Sequence, residues 1–103
     1  MRFSSNLDNG NLYVSVEGRL DTATSPEFQN ELNSVTGGSL NSIHTFVLDL
    51  EKLDYISSAG LRVILKIYKE MTANGGKFII KNVRDEVKSV FEVTGFNQIF
   101  TIE

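Results

Sequence analysis

From Leu53 to Leu65 the chain reads Leu-Asp-Tyr-Ile-Ser-Ser-Ala-Gly-Leu-Arg-Val-Ile-Leu: a hydrophobic strand, a polar corner with two hydroxyls, and the opening of a helix. Leu61, Ile64, Leu65 and Tyr68 then recur at i, i+3, i+4 and i+7, the apolar stripe of an amphipathic helix that ends near Asn74-Gly75 with Lys66, Lys69 and Glu70 toward water. A strand that turns directly into such a helix belongs to a layered α/β fold, because the stripe must be buried against a sheet. The corner also puts side chains beside the unpaired N–H groups of a helix start, where a phosphate can sit.

The flanking segments fit the same architecture. Phe3 to Leu7 and Leu12 to Val16 alternate apolar with polar across Asp8-Asn9-Gly10, the signal of a β-hairpin with one face covered. Thr24-Ser25-Pro26-Glu27 reads as a helix start, with Ser25 as cap and Pro26 first inside, followed by Phe28, Leu32 and Val35 on one face. Phe46-Val47-Leu48-Asp49-Leu50 is a short, nearly continuous apolar run and so predicts a central strand buried on both faces. Phe78-Ile79-Ile80 predicts another strand. Val83 to Thr94 predicts a helix with Val87, Val90 and Phe91 inward and Gly95 as its stop, and Ile99 to Ile102 a last strand. The expected fold is α/β: an opening hairpin, then alternating strands and helices, giving a mixed sheet of four to five strands with helices packed on it. Only turns interrupt it, at Gly37-Gly38-Ser39 and Asn74-Gly75-Gly76, so residues 1–103 are expected to form one domain.

Composition narrows the chemistry. A net charge of −3 offers no broad positive field for nucleic acid or an anionic membrane, so a protein partner is favoured. Cysteine is absent, which removes disulfides and thiolate catalysis, and the lone histidine, His44, has no partner with which to hold zinc, so neither metal nor cofactor is expected. No apolar run approaches the roughly 20 residues that span a bilayer, and no apolar leader precedes a cleavage site, so a cytoplasmic location without membrane insertion is expected.

Function in such sheets gathers where strand carboxyl ends meet helix starts, which is where the serine corner lies. Ser57 and Ser58 precede Ala59 and Gly60, small residues expected to let another protein approach the backbone and leave the hydroxyls uncovered. A phosphate on Ser58 would add about −1.5 to −2 charges, stabilised in part by the N–H groups of Gly60 and Leu61 and by the helix dipole. A partner docked over it would have to desolvate an unpaired charge. Helix capping is the ordinary use of serine at such a corner, and adjacent serines can divide the two tasks.

The segment from Asp49 to Leu65, together with Glu17-Gly18-Arg19-Leu20-Asp21, resembles the signature of STAS domains, specifically the bacterial anti-sigma factor antagonists, over nearly the whole chain. The resemblance implies a protein with no catalysis of its own. Unphosphorylated, it would bind an anti-sigma factor with serine-kinase activity and so release a sigma factor; phosphorylation of a corner serine would end binding, and a separate phosphatase would restore it. In the commonest family form the modified hydroxyl directly precedes the glycine, where this chain has Ala59, while Ser57 stands where that form has aspartate. The Ser-Ser-Ala-Gly-Leu-Arg form looks like a recurrent variant in which Ser58 is the acceptor, so Ser58 ranks first and Ser57 second. Many members continue into one more helix beyond the position of Glu103, so a sheet face is expected to be less covered or open to a partner. The alternative within the same fold is a non-switching subunit of a larger assembly, such as a lipid-transport ABC system. A monomer or weak dimer is expected.

The expected partner surface comprises Asp21, Ser57, Ser58, Ala59, Gly60 and Arg62. Asp21 matches an acidic family position near the corner, with an ordinary turn aspartate as the competing reading. Arg62, one turn into the helix, could reach a phosphate or a partner's carboxylate, or simply be a surface arginine. Asp49 must point to an edge or accept backbone hydrogen bonds, and Asp54 is either part of an acidic rim or a solvated loop charge. A hydrolase triad of His44, Ser57 and Asp54 is disfavoured: there is no Gly-x-Ser-x-Gly elbow, and the histidine belongs at the opposite end of the sheet.

Overall fold

The structure is a computed structural model that describes all residues, 1–103. Strands β1 (Arg2–Asp8) and β2 (Asn11–Leu20) form the opening hairpin. Asn9 and Gly10 join them with φ of 51° and 82°, the doubly left-handed turn whose twist matches that of the two strands. There follow α1 (Ser25–Thr36), β3 (Thr45–Asp49), β4 (Leu53–Ile56), α2 (Ser58–Ala73), β5 (Lys77–Lys81), α3 (Asp85–Thr94), a 3-10 turn (Phe96–Gln98) and β6 (Thr101–Ile102).

The sheet runs β1-β2-β3-β5-β6, with β1 antiparallel to β2 and the other pairings parallel, and β3 is central as expected. It has a sixth strand, because the strand that leads into the serine corner is separate from β3 and pairs elsewhere in the sheet. The first half of β2, Asn11 to Ser15, pairs with β3; from Gly18 onward it pairs with β4 instead, with a register shift between Gly18 and Arg19. The extra residue is Asp54 of β4, so the irregularity lies in the short strand. Gly18 sits where β2 changes partner, with φ of 99°, and its N–H donates to the Lys52 carbonyl at 2.9 Å.

One face of the sheet carries the core. Leu12, Val14, Val16, Phe46, Leu48, Phe78 and Ile80 point to the same side as the buried residues of the three helices and join them in a single cluster. Phe28 and Leu32 come from α1, Leu61, Ile64, Ile67 and Met71 from α2, and Val87 and Phe91 from α3. The α2 stripe therefore runs through Ile67 and Met71, while Leu65 and Tyr68 are half-buried at its margin. Phe100 closes the cluster at the C-terminal end, within 6.2 Å of the rings of Tyr68, Phe78, Phe91 and Phe96. On the opposite face Tyr13, Val47 and Ile79 lie side by side among polar residues; Val47 is buried there too, so the central strand is buried on both faces as expected, although the helices join the core on one face only.

Three local expectations are corrected. Ser25 does not cap α1: Thr24 holds the cap position, and the buried Ser25 hydroxyl donates to the Asp21 carbonyl at 2.6 Å. Glu70 does not simply face water, because its Oε2 accepts the Leu40 N–H at 2.8 Å across 30 residues of chain. Ile99 lies exposed ahead of the last strand, which is only Thr101–Ile102.

Candidate functional site

The corner is held from two sides. Arg19 and Leu20 pair with Tyr55 and Ile56, and the Ser57 N–H then donates to the Leu20 carbonyl at 2.9 Å, so the carboxyl ends of β2 and β4 meet at the start of α2. Above this ladder the Arg19 guanidinium lies 4.3 Å from the centre of the Tyr55 ring. Ser57 is the extended residue before the helix, with φ of −101° and ψ of 177°, and its carbonyl accepts the Leu61 N–H at 3.0 Å. The N–H groups of Ser58, Ala59 and Gly60 precede that first intrahelical bond and have no backbone acceptor. Leu61, whose N–H the sequence reading offered to a phosphate, is thus already engaged; the free donors lie nearer the helix start.

The two serines have different surroundings. Ser58, the first residue of α2, is exposed. The Ser57 side chain does not cap the helix, and its Oγ is sealed from solvent without a hydrogen-bond partner. Capping and exposure are therefore not divided as the pattern suggested: one hydroxyl is reachable, and the other is buried unpaired.

Gly60 is also placed differently from expectation. It is buried rather than on the surface, and a Cβ there would fall 2.7 Å from the Leu20 carbonyl oxygen and 2.9 Å from both the Leu20 Cγ and the Ile56 Cγ1. Glycine is needed so that the first turn of α2 can pack onto the end of β2, not so that a partner can approach. Ala59 is half-buried and Arg62 exposed. Arg62 is four residues after Ser58, which places the two side chains on one face of α2.

Asp21 is a turn-builder. Its Oδ1 accepts the N–H groups of Ala23 and Thr24 and the Thr24 hydroxyl, each at 3.1 Å, while its own N–H donates to Thr24 Oγ1 at 2.9 Å. The Thr24 N–H above all holds the Asp21 carboxyl below its ordinary value of 3.8, with Arg19, 3.5 Å away, adding to the effect. Asp54 is paired with Arg84, which also donates from Nε to the Glu51 carbonyl at 2.8 Å, so it ties the β3–β4 loop to α3 rather than forming an acidic rim. Asp49 follows expectation: it accepts the Glu51 N–H at 2.9 Å and the Asn82 amide at 3.2 Å. His44 is exposed at the amino end of β3, beside the Asn9-Gly10 turn, and gives its N–H to the Gly10 carbonyl at 2.7 Å. The serines lie at the carboxyl ends of the parallel strands, so no triad can assemble.

Beside the corner, α1 and α2 enclose an open groove of about 450 Å³ lined by Thr22, Pro26, Gln29, Ala59, Arg62 and Lys66, among others. Thr22 and Gln29 carry no signal in the sequence, and Lys66 is legible there only as a residue facing water. Lys66 extends the four-residue spacing of Ser58 and Arg62; the α1 residues meet it only through tertiary packing. No helix is long and apolar enough to cross a membrane.

Fold and site together define a small sheet-and-helix binding module with one exposed hydroxyl at a helix start beside a shallow groove. The STAS domain model matches residues 3–103. A Bordetella bronchiseptica protein named as the anti-sigma factor antagonist BtrV is 32% identical over 99% of this chain and 85% of its own length. The anti-sigma-B factor antagonist of Staphylococcus aureus is 28% identical over 86% of this chain and 80% of its own. Among solved structures, an anti-sigma factor antagonist from Mycobacterium paratuberculosis superposes with a TM-score of 0.82 at 22% identity, covering 98% of this chain and 83% of that one. The phosphorylated Bacillus cell fate determinant SpoIIAA does so at 0.74 and 17%, covering 99% and 91%. The chain belongs to the STAS domain family.

Proposed function

We propose that this chain is an anti-sigma factor antagonist, a regulatory binding protein that is switched by phosphorylation at Ser58. The observation that carries the choice of residue is the contrast at the corner: Ser58 is exposed at the first position of α2, whereas the Ser57 Oγ is sealed. The names of its relatives support the partner class, an anti-sigma factor, and a regulatory rather than a catalytic role.

In this reading the unmodified protein presents Ser58, Ala59, Arg62 and the adjoining α1–α2 groove to an anti-sigma factor in the cytoplasm, and its binding frees the sigma factor. The partner, acting as a serine kinase, transfers the terminal phosphoryl group of ATP to Ser58 Oγ; the new O–P bond replaces the bond to ADP, and the hydroxyl proton leaves to solvent. Its own domain tolerates the phosphate, with the unpaired N–H groups of the first helical turn nearby and Arg62 one turn on. The docked partner does not tolerate it: an uncompensated charge desolvated at an interface typically costs about 2–5 kcal/mol, or roughly 30- to several-thousand-fold in affinity. A phosphatase reverses the change by hydrolysing the O–P bond.

The test is co-purification from the source cell, followed by incubation of the captured pair with ATP and mapping of the modified residue by mass spectrometry. The expected result is an anti-sigma factor with kinase activity and a single phosphate on Ser58. Recovery of a transporter ATPase with no phosphorylation at the corner would replace this reading with that of a non-switching subunit.

A further inference from the structure

The two edges of the sheet are not alike. β6, at one edge, has only two residues. β1, at the other, has seven, Arg2-Phe3-Ser4-Ser5-Asn6-Leu7-Asp8, paired on one side only and exposed along nearly its whole length. It has neither proline nor lysine, the pairing to β2 is unbroken from Arg2 to Asp8, and its only charges, Arg2 and Asp8, sit at its two ends, so its middle carries none of the usual devices that stop an edge from recruiting another strand. Leu7 is 51% exposed on it.

The hairpin fixes which backbone groups β1 offers. In a two-residue turn the flanking residues, here Asp8 and Asn11, are the hydrogen-bonded pair, so Arg2, Ser4, Asn6 and Asp8 bond inward to β2. Phe3, Ser5 and Leu7 then direct their N–H and C=O groups outward, away from the sheet. An antiparallel strand added there must place its own odd-numbered residues opposite these.

We infer that β1 is a self-complementary edge, at which a second copy of this chain adds by antiparallel pairing about a two-fold axis at Ser5. In that register Phe3 faces Leu7 of the second copy and Ser5 faces Ser5, each pair hydrogen-bonded through the backbone, with about six bonds in all. Phe3 and Leu7 lie on the same face of β1, so the exposed leucine gains an apolar neighbour. On the other face, Arg2 stands opposite Asp8 of the second copy and Ser4 opposite Asn6, in the closer, non-hydrogen-bonded positions. Two opposite-charge pairs form, one at each end. Sliding the strands by two residues in either direction sets Arg2 opposite Asn6 or Gly10 and leaves both charges unmatched; sliding by one reverses the faces.

The sequence of β1 is thus self-complementary in charge and palindromic in hydropathy, and the parity of its free backbone groups agrees with that symmetry. The surface lies at the far side of β2 from the serine corner and does not depend on the switch reading. A single strand pair is smaller than a standard interface, so the dimer is weak, with a Kd on the order of 100 μM.

Sedimentation equilibrium from about 20 μM to about 1 mM tests it, with circular dichroism to confirm that each variant folds. The wild-type chain is expected to self-associate. Ser5→Pro removes an outward N–H that the monomer does not use and should leave the protein monomeric throughout. Arg2→Asp, which brings like charges together at both ends, should weaken the dimer about tenfold, and Arg2→Asp combined with Asp8→Arg should restore it. A wild-type chain that stays monomeric to the highest concentration overturns the inference. So does a dimer that is indifferent to Ser5→Pro, or one that the charge exchange fails to restore.

Discussion

Gly60 lies so close over Leu20 that a methyl group on its Cα would fall 2.7 Å from the Leu20 carbonyl oxygen. That same carbonyl accepts the Ser57 N–H, so a single peptide group at the end of β2 both anchors the serine corner and sets how close α2 can come.

Gly60→Ala should therefore destabilise the protein, against the usual trend. In an open helix this substitution gains about 1 kcal/mol. Here two of the close contacts are to the Leu20 backbone and branch point, which cannot give way cheaply, and overpacking of that kind typically costs about 1–3 kcal/mol. Urea unfolding checks the sign: a net loss is expected, and a gain would mean that α2 is free to move away from β2.

Ser57→Ala should leave stability unchanged or raise it slightly. Serine before a helix ordinarily contributes about 1 kcal/mol by capping, but this hydroxyl makes no cap bond and is buried without a partner, a state that itself costs about 1–3 kcal/mol. A loss of about 1 kcal/mol in thermal or urea unfolding would show that the side chain caps α2 in solution.

Glu70→Ala should cost about 1–3 kcal/mol, because the half-buried Leu40 N–H would lose the carboxylate that now accepts it at 2.8 Å. Glu70→Gln, which keeps an acceptor oxygen, should recover most of the loss. Equal losses in the two variants would place the cost in the charge rather than in the hydrogen bond.

The Asp21 turn should be sensitive to acid. Its carboxyl is held below 3.8 chiefly by the Thr24 N–H, so the folded value lies under the unfolded one. The contribution is then fully present above the unfolded value and is lost as pH falls through the folded value. Carboxyl-carbon NMR titration should give a midpoint below 3.8 for Asp21, and Asp21→Asn should remove that part of the acid dependence. A midpoint at or above 3.8 would contradict the turn geometry.

What was legible in the sequence was local. Asp8-Asn9-Gly10 announces its hairpin because the turn chemistry lies within the residues that adopt it, and Gly95, with φ of 80°, ends α3 where its position says it should. β4 was legible only as the strand leading into the corner: with both ends buried and both middle residues exposed it lacks strand alternation, so neither its separation from β3 nor its partner, the end of β2 from Gly18 onward, shows in the local pattern. The corner itself was read from its hydroxyls and small residues. That Gly60 serves packing, that Ser57 is sealed and that Glu70 reaches Leu40 depend on neighbours distant in the chain, which no local pattern encodes. The pairing of Asp54 is hidden for the same reason, since Arg84 lies 30 residues away.

The most direct test of the switch is calorimetric titration of the co-purified anti-sigma factor with the unmodified protein and with protein phosphorylated only at Ser58. The proposal predicts tight binding for the first and a Kd weaker by about 30-fold or more for the second, with the fold unchanged by NMR. Equal affinity for both forms, or a phosphate that settles on Ser57 and leaves Ser58 bare, would contradict it.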